Sequence, residues 1–373
     1  MDAGGGGELR GFGTPTIADV AKAAGVSPMT VSRVINGGHS VREATRERVA
    51  QAISALRFVP NPAARALARG DKLRIGVLYA PPPFGIFTDF LIGALNQASS
   101  RSAELIIQGC DMDAGVGSAL DWLGRSRLDG VVVTPPLADW PPLLDALKTG
   151  GAPVVAIATS RAPDWALSVC IDDFRAAFDM TEHLLALGHR RIGFIVGNPI
   201  QSASAERLAG HVAALAAAGL PDDPELIADG LFTYRSGLAA AEELLARPSR
   251  PSAIFASNDD MAAAVVAVAH RRGLDVPRDL TVCGFDDAAL ATSIFPELTT
   301  IRQPIMDMAR LALDLLIGEI RSRSSKTPAS QPKHLVVDHQ LIRRESHAAP
   351  HGPGRAPGTA VSTPDRLDPA VQP

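Results

Sequence analysis

The stretch "TPTIADVAKAAGVSPMTVSRVING", residues 14–37, reads as two short helices joined by a glycine turn. Ile17, Val20, Ala21 and Ala24 recur at helical spacing and form one apolar stripe. Gly25 ends that helix, because glycine takes the left-handed conformation at little cost. Ser27 supplies a side-chain oxygen to cap a second helix, and Pro28 sits at its first position, where a missing N–H costs nothing. Val31, Val34 and Ile35 face inward, and "NGG" at 36–38 stops the helix. A third helix from about Glu43 to Leu56 carries Val49, Ile53 and Leu56 on one side. A helix, a tight turn and a capped helix at this spacing make a helix-turn-helix, whose second helix lies in the DNA major groove. An arbitrary helical hairpin is the plainer alternative.

Charge is compatible with the first reading without deciding it. The chain has 373 residues and a net charge of −4, with 46% hydrophobic and 20% charged residues, values of a soluble globular protein with room for two or three domains. Between Thr16 and Lys72, however, nine basic residues (Lys22, Arg33, Arg42, Arg46, Arg48, Arg57, Arg65, Arg69, Lys72) face four acids (Asp19, Glu43, Glu47, Asp71). A basic segment on an acidic chain is the footprint of a polyanionic partner. On charge alone, a solvated basic face would serve equally.

From Leu73 onward, short apolar runs alternate with helical stretches. "LRIGVLY", "AELIIQGC", "LDGVVVTP", "APVVAIAT", "RRIGFIVG", "PSAIFASN" and "LTVCGFD" read as buried parallel strands. Helices are expected at 175–187, 206–218, 236–246 and 260–272. This is a doubly wound α/β body, and its length suits two sheets rather than one. "LTTIRQP" at 298–304 reads as a return crossing between halves, followed by a helix over about 305–320 and a strand in "KHLVVDHQLIRR". Residues 1–15 are Gly-rich, and the tail 346–373 holds six prolines and three glycines, so both ends are expected to be disordered.

The chain resembles the lactose-repressor (LacI/GalR) family of bacterial transcription regulators. The likeness runs through "TIADVAKAAGVSPMTVSRVING" and "VREATRERVAQAISALRFVPNPAARALARG". It continues in "HLLALGHRRIGFIVG", "ERLAGHVAAL", "SNDDMAAAVV", "DLTVCGFDD" and "PELTTIRQP", covering residues 16 to about 345. It implies an all-α helix-turn-helix domain at 16–60, a hinge at 61–72 and a two-subdomain body like a periplasmic binding protein at 73–345. The N-subdomain would hold about 73–174 and 303–323, and the C-subdomain about 175–302 and 333–345.

The resemblance also implies roles. Ser27, Thr30 and Ser32 would contact phosphate or cap the recognition helix, Pro28, Met29 and Arg33 would face the bases, and Asn36 would hold the backbone. An arginine can donate two hydrogen bonds to guanine, and a methionine can touch a thymine methyl. Thr16, Asn61 and Arg65 complete the implied DNA set, and Leu67 would be a wedge pushed into the minor groove. In the body, Arg207 would clamp a ligand hydroxyl or carboxylate, with Asn258, Asp286 and Asp172 as polar partners. Phe232 would be an aromatic wall, and Phe87 and Thr134 would serve from the N-terminal half. Hydroxyl-directed groups beside an aromatic ring fit a carbohydrate effector. The implied protein is a homodimer that grips a palindromic operator and is released by a sugar, although some purine-responsive relatives grip DNA on binding ligand.

Rival classes lack their signatures. No G-x-G-x-x-G, Walker lysine loop, G-x-S-x-G or H-E-x-x-H occurs, so an enzyme is not expected. His183 and His189 stand six apart, poor spacing for shared metal ligation, and neither metal nor cofactor is expected. An exported sugar-binding protein would need a signal peptide, and a membrane protein a long apolar run; the chain shows neither. Cys110, Cys170 and Cys283 are far apart and odd in number, which argues against a disulfide framework and for the reduced cytoplasm.

Overall fold

The structure is a computed structural model that describes residues 16–35, 42–56, 72–81, 85–325 and 333–350. An N-terminal helical unit and the body from Lys72 onward are two separate compact units. In the first, α1 (Ile17–Ala24), α2 (Pro28–Ile35) and α3 (Glu43–Ala55) pack around Val20, Val31 and Val49, each fully buried. Thr16 opens α1 with a capping box: its side chain accepts from the Asp19 N–H, and Asp19 Oδ2 accepts from the Thr16 N–H at 2.8 Å. Gly25 closes α1 at φ +64°, where any other residue would be strained. Val34, Ile53 and Leu56 are half-buried against the same core. Ile17 departs from the expected stripe: it lies on the first turn and is 38% exposed. The side chain of Ile35 lies outside the described residues.

The body has two lobes. The N-lobe contains β1 (Leu73–Tyr79), α4 (Phe87–Ser100), β2 (Ala103–Gly109), α5 (Gly117–Ser126), β3 (Gly130–Val133), α6 (Pro141–Gly150), β4 (Val154–Ile157) and β5 (Leu167–Ile171). The C-lobe follows with α7 (Asp173–Ala186), β6 (Ile192–Ile195), α8 (Ser202–Ala217), β7 (Ile227–Ala228), α9 (Tyr234–Ala246), β8 (Ala253–Ala256), α10 (Asp259–Arg271), β9 (Thr281–Asp286) and β10 (Thr299–Arg302). The chain then returns through α11 (Ile305–Ser325), β11 (His334–Val337) and β12 (Gln340–Ile342). The N-lobe sheet runs β11-β5-β4-β3-β1-β2 and the C-lobe sheet β12-β10-β9-β8-β6-β7. Every pairing is parallel except β10 with β12. Strands buried on both faces need apolar residues at every position, which is why "VVV", "VVAI" and "AIFA" do not alternate.

Two expectations need correction. "KHLVVDHQLIRR" is not one C-lobe strand: β11 pairs with β5 in the N-lobe and β12 with β10 in the C-lobe, so the lobe boundary falls at Asp338–His339 rather than before 333. Polar Asp338 and His339 interrupt the apolar run there, and His339 Nε2 meets Asp179 Oδ2 at 3.0 Å on α7. The tail also begins later than 346. Ser346 is fully buried, donates to the Val282 carbonyl at 2.6 Å and accepts from the Thr299 N–H at 2.8 Å. His189 Nε2 donates to the Ala348 carbonyl at 2.8 Å, so residues 346–350 are stitched onto the C-lobe by backbone groups that composition does not reveal. The sequence reading also passed over β5, where Ser168 and Cys170 break the apolar run.

Three segments therefore join the lobes: Asp172 after β5, Gln303–Pro304 after β10, and Asp338–His339 after β11. The C-terminal ends of β3, β4, β8 and β9 face the gap between them, where ligands bind in open α/β sheets.

Candidate functional site

In the helical unit, the outer face of α2 offers the reading surface. Ser27, Pro28, Met29 and Arg33 are exposed and Thr30 and Ser32 half-buried. Met29 on α2 is 65% exposed and so does not pack into the core shared with α3. The Arg33 guanidinium lies along the same face, its Nη2 3.7 Å from Met29 Sδ. Ser27 Oγ accepts from the Thr30 N–H at 3.2 Å and pairs with Thr30 Oγ1 at 2.9 Å, so these two hydroxyls secure the helix start. No acid occupies the first turn of α2, which leaves its positive end open to an anion. Thr16 serves as the α1 cap. Asn36, Asn61, Arg65 and Leu67 lie outside the described residues, as do residues 1–15 and most of the hinge.

In the body, Arg207 on α8 stands on the C-lobe among charged groups from several elements. It is 5% exposed, and its Nε donates to Asp173 Oδ1 at 2.8 Å and its Nη1 to the Ser257 carbonyl at 2.6 Å. Asp286 Oδ1 stands 3.8 Å from Nη1. The guanidinium carbon lies 3.6 Å from the Phe285 ring centroid and 5.6 Å from that of Phe232. Nη2 has no hydrogen-bond partner among the described residues. Asp286 is held at φ +109° and accepts from Gln303 Nε2 at 2.7 Å. Burial pushes its carboxyl up to about 7, against the pull of Arg207 and Gln303.

Asp172 and its neighbour Asp173 have different surroundings. Asp172 is exposed and caps α7, accepting from the Arg175 N–H at 2.8 Å. Asp173, one residue into the helix and 3% exposed, turns to the cleft. Its Oδ2 accepts from Ser160 Oγ of the N-lobe at 2.8 Å. Ser202 at the start of α8 completes the bridge: its Oγ accepts from the Ser160 N–H at 2.9 Å and pairs with Thr159 Oγ1 at 3.2 Å. Thr159 in turn donates to Asp139 Oδ1 at 2.8 Å. Burial raises the Asp139 carboxyl above its ordinary value.

Other candidates fall on either side of the gap with altered roles. Asn258 is 4% exposed and caps α10: Oδ1 accepts from the Met261 N–H at 3.0 Å while Nδ2 donates to the Phe232 carbonyl at 3.0 Å. It therefore fixes the Phe232 backbone, which sits at φ +59°. The Phe232 ring fills the space over Gly197, where a Cβ would overlap it. Phe87 and Thr134 share an apolar recess of the N-lobe with Ile86, Phe90, Ile157 and Ile305. Thr134 Oγ1 donates to the Leu78 carbonyl at 3.1 Å, so it contributes its methyl to that wall. Phe87 stacks on Tyr79 with centroids 4.7 Å apart. A Cβ on Gly85 would lie 3.6 Å from Asp260 Oδ2, which brings the two lobes within contact distance there. Asp173, Ser160, Ser202 and Asp260 were not read from the sequence; the doubled acids "DD" at 172–173 and 259–260 were the available signal.

These features define a class: a helix-turn-helix reader joined to a two-lobed, ligand-cleft body. Residues 16–61 match the model of bacterial regulatory proteins of the lacI family, and residues 181–347 match the periplasmic binding protein-like domain. The chain is 33% identical over 333 residues to catabolite control protein A of Priestia megaterium, covering 88% of this chain and 99% of that one. It is 36% identical over 350 residues to the transcriptional regulator CelR of Thermobifida fusca, covering 89% and 98%. The solved complex of CelR with cellobiose superposes with a TM-score of 0.68 at 32% identity, over 89% of this chain and 99% of that one. The chain belongs to the LacI family of bacterial regulatory proteins and is a DNA-binding regulator of transcription. Among the described residues no helix is long and apolar enough to cross a membrane.

Proposed function

We propose that the protein is a homodimeric repressor of carbohydrate uptake or catabolism genes, released from a near-palindromic operator when a sugar-type effector occupies the cleft around Arg207. One observation carries the effector reading: a buried arginine with a free Nη2 edge stands between two acids and beside the Phe232 ring. Hydroxyls can accept from the guanidinium and donate to Asp286, while a sugar's C–H face stacks on the ring. The regulator CelR has been solved with cellobiose and an Enterococcus faecium family member with ribose, which supports a sugar here.

On DNA, Pro28, Met29 and Arg33 meet base edges, and Ser27, Thr30 and Ser32 position the helix on phosphates. Thr16, Asn36, Asn61 and Arg65 add backbone contacts, and Leu67 wedges the minor groove at the operator centre. Two-fold symmetry of the dimer requires two related half-sites. Ligand shifts DNA affinity only by its differential affinity for the gripping and released states. The test is fluorescence anisotropy of the full-length protein on fragments of its own promoter region, repeated with a panel of sugars. Release by one sugar is the expected result. Tighter DNA binding with that sugar would reverse the sign, and no binding to any fragment at low salt would end the proposal.

A further inference from the structure

The cleft has a charge character that reaches past its hydroxyl-binding geometry. Three carboxylates of the C-lobe act on one another there, Asp173, Asp260 and Asp286, while Asp139 of the N-lobe stands behind Thr159. Arg207 is the one cation among the described residues that faces them, and Asp173 already engages it at 2.8 Å. Asp286, the next nearest, stands at 3.8 Å. The neighbouring cations are committed elsewhere: Arg161 to Glu206 at 3.5 Å, and Arg302 and Arg344 to Asp287. Asp260 Oδ2 has no hydrogen-bond partner among the described residues and lies against Gly85 of the opposite lobe.

We infer that Asp173, Asp260 and Asp286 select the effector by charge: the cleft takes a polyhydroxylated ligand bearing a protonated amine most tightly, its neutral parent less tightly, and its anionic derivative least. The inference rests on the sugar reading of the cleft and narrows its chemistry. An anionic ligand meets an arginine whose Nε and Nη1 are already donated, and must enter beside two further carboxylates, Asp260 and Asp286. Like charges brought together out of water repel strongly. A neutral sugar satisfies carboxylate lone pairs with hydroxyl donors but leaves the excess charge uncompensated. An ammonium group supplies both the donors and the charge. The carboxyls of Asp139, Asp260 and Asp286 are all raised, chiefly by burial, and Asp286 stays up at about 7 even against the pull of Arg207.

The experiment is isothermal titration of the full-length protein with matched triplets: glucosamine, glucose and glucuronate, then galactosamine, galactose and galacturonate, at near-neutral pH and low salt. Within a triplet that binds, affinity is expected to fall by about tenfold at each step from amine to neutral to anion. A neutral sugar at least as tight as its amine, or an anion at least as tight as its neutral parent, overturns the inference and leaves the sugar reading standing. Binding by no member of either triplet removes the sugar reading and the inference with it. Asp260→Asn, with its fold checked by thermal unfolding, should narrow the amine-to-anion ratio by about tenfold; an unchanged ratio would remove Asp260 from the selector.

Discussion

Asp173 holds Arg207 with one carboxylate oxygen, 2.8 Å from Nε, while its other oxygen accepts the Ser160 hydroxyl from the opposite lobe at 2.8 Å. The same carboxylate thus holds the guanidinium in place and ties the lobes together. Asp173→Asn keeps the volume and removes the charge. Losing one partner of a buried ion pair costs about 3 kcal/mol. Urea unfolding should show a loss of that size; a change within 0.5 kcal/mol or so, the usual range for surface positions, would count against the joint role.

The Thr16 capping box makes a second prediction. Thr16→Ala removes the acceptor for the Asp19 N–H and should cost about 1 kcal/mol in the helical unit. Thr16→Ser should restore it. Hydrogen exchange of α1 amides is the direct readout. If Thr16→Ser leaves α1 as labile as Thr16→Ala, the box is not what holds the helix start.

Arg33 and Met29 share the exposed face of α2. Arg33→Ala should weaken operator binding by about 1–3 kcal/mol and relax preference at one base pair of each half-site. If each subunit neutralises about five phosphates, the logarithmic salt slope of the dimer should lie near −9. An operator-to-scrambled affinity ratio in Arg33→Ala equal to that of wild type, with both affinities lowered alike, would relegate Arg33 to a phosphate contact.

The fold was largely legible because its strands are buried on both faces and its helices carry local stops and caps. "GVVV" and "AIFA" announce themselves without partners. What escaped depends on long-range pairing. β11 and β12 form one run in the sequence, and only their different partner strands separate them. The site was legible by residue type but not by direction. Asp172 and Asp173 are chemically identical neighbours. A helix begins between them, so one caps it and the next points about a quarter-turn away into the cleft. Asn258 spends both polar ends on a cap and the Phe232 carbonyl, which its residue type alone does not reveal.

Histidines set an acid limit to stability. Burial lowers His211 to about 3 and His183 to about 4, and also lowers His189 and His347. A folded-state value below the unfolded one gives stability that is present above about 6.5 and is lost as pH falls toward 3. The raised carboxyls, with Asp286 near 7, act in the opposite sense and lose stability as pH rises. Comparison with His211→Gln isolates the histidine, since the carboxylates are common to both proteins. Unfolding free energies at pH 7, 6, 5 and 4 should fall more steeply in wild type than in the variant. Parallel curves would mean that His211 is protonated as easily folded as unfolded.

The ring of Phe232 owes its place to a residue without a side chain. Gly197 leaves the space the ring occupies, and Asn258 pins the carbonyl behind it at 3.0 Å. In Gly197→Ala the new methyl and the ring cannot share that space, so the ring must leave the position 5.6 Å from the Arg207 guanidinium carbon. The wall against which a sugar face would stack is then lost while the α2 surface, which belongs to the other unit, is unaltered. The variant should bind promoter DNA as wild type does in the absence of sugar. About tenfold more of the releasing sugar should be needed to displace it, the loss expected when one aromatic contact is withdrawn. Phe232→Ala should show the same shift. A Gly197→Ala protein that releases DNA at the wild-type sugar concentration would place the sugar's apolar face elsewhere in the cleft, against the Phe87 recess of the N-lobe.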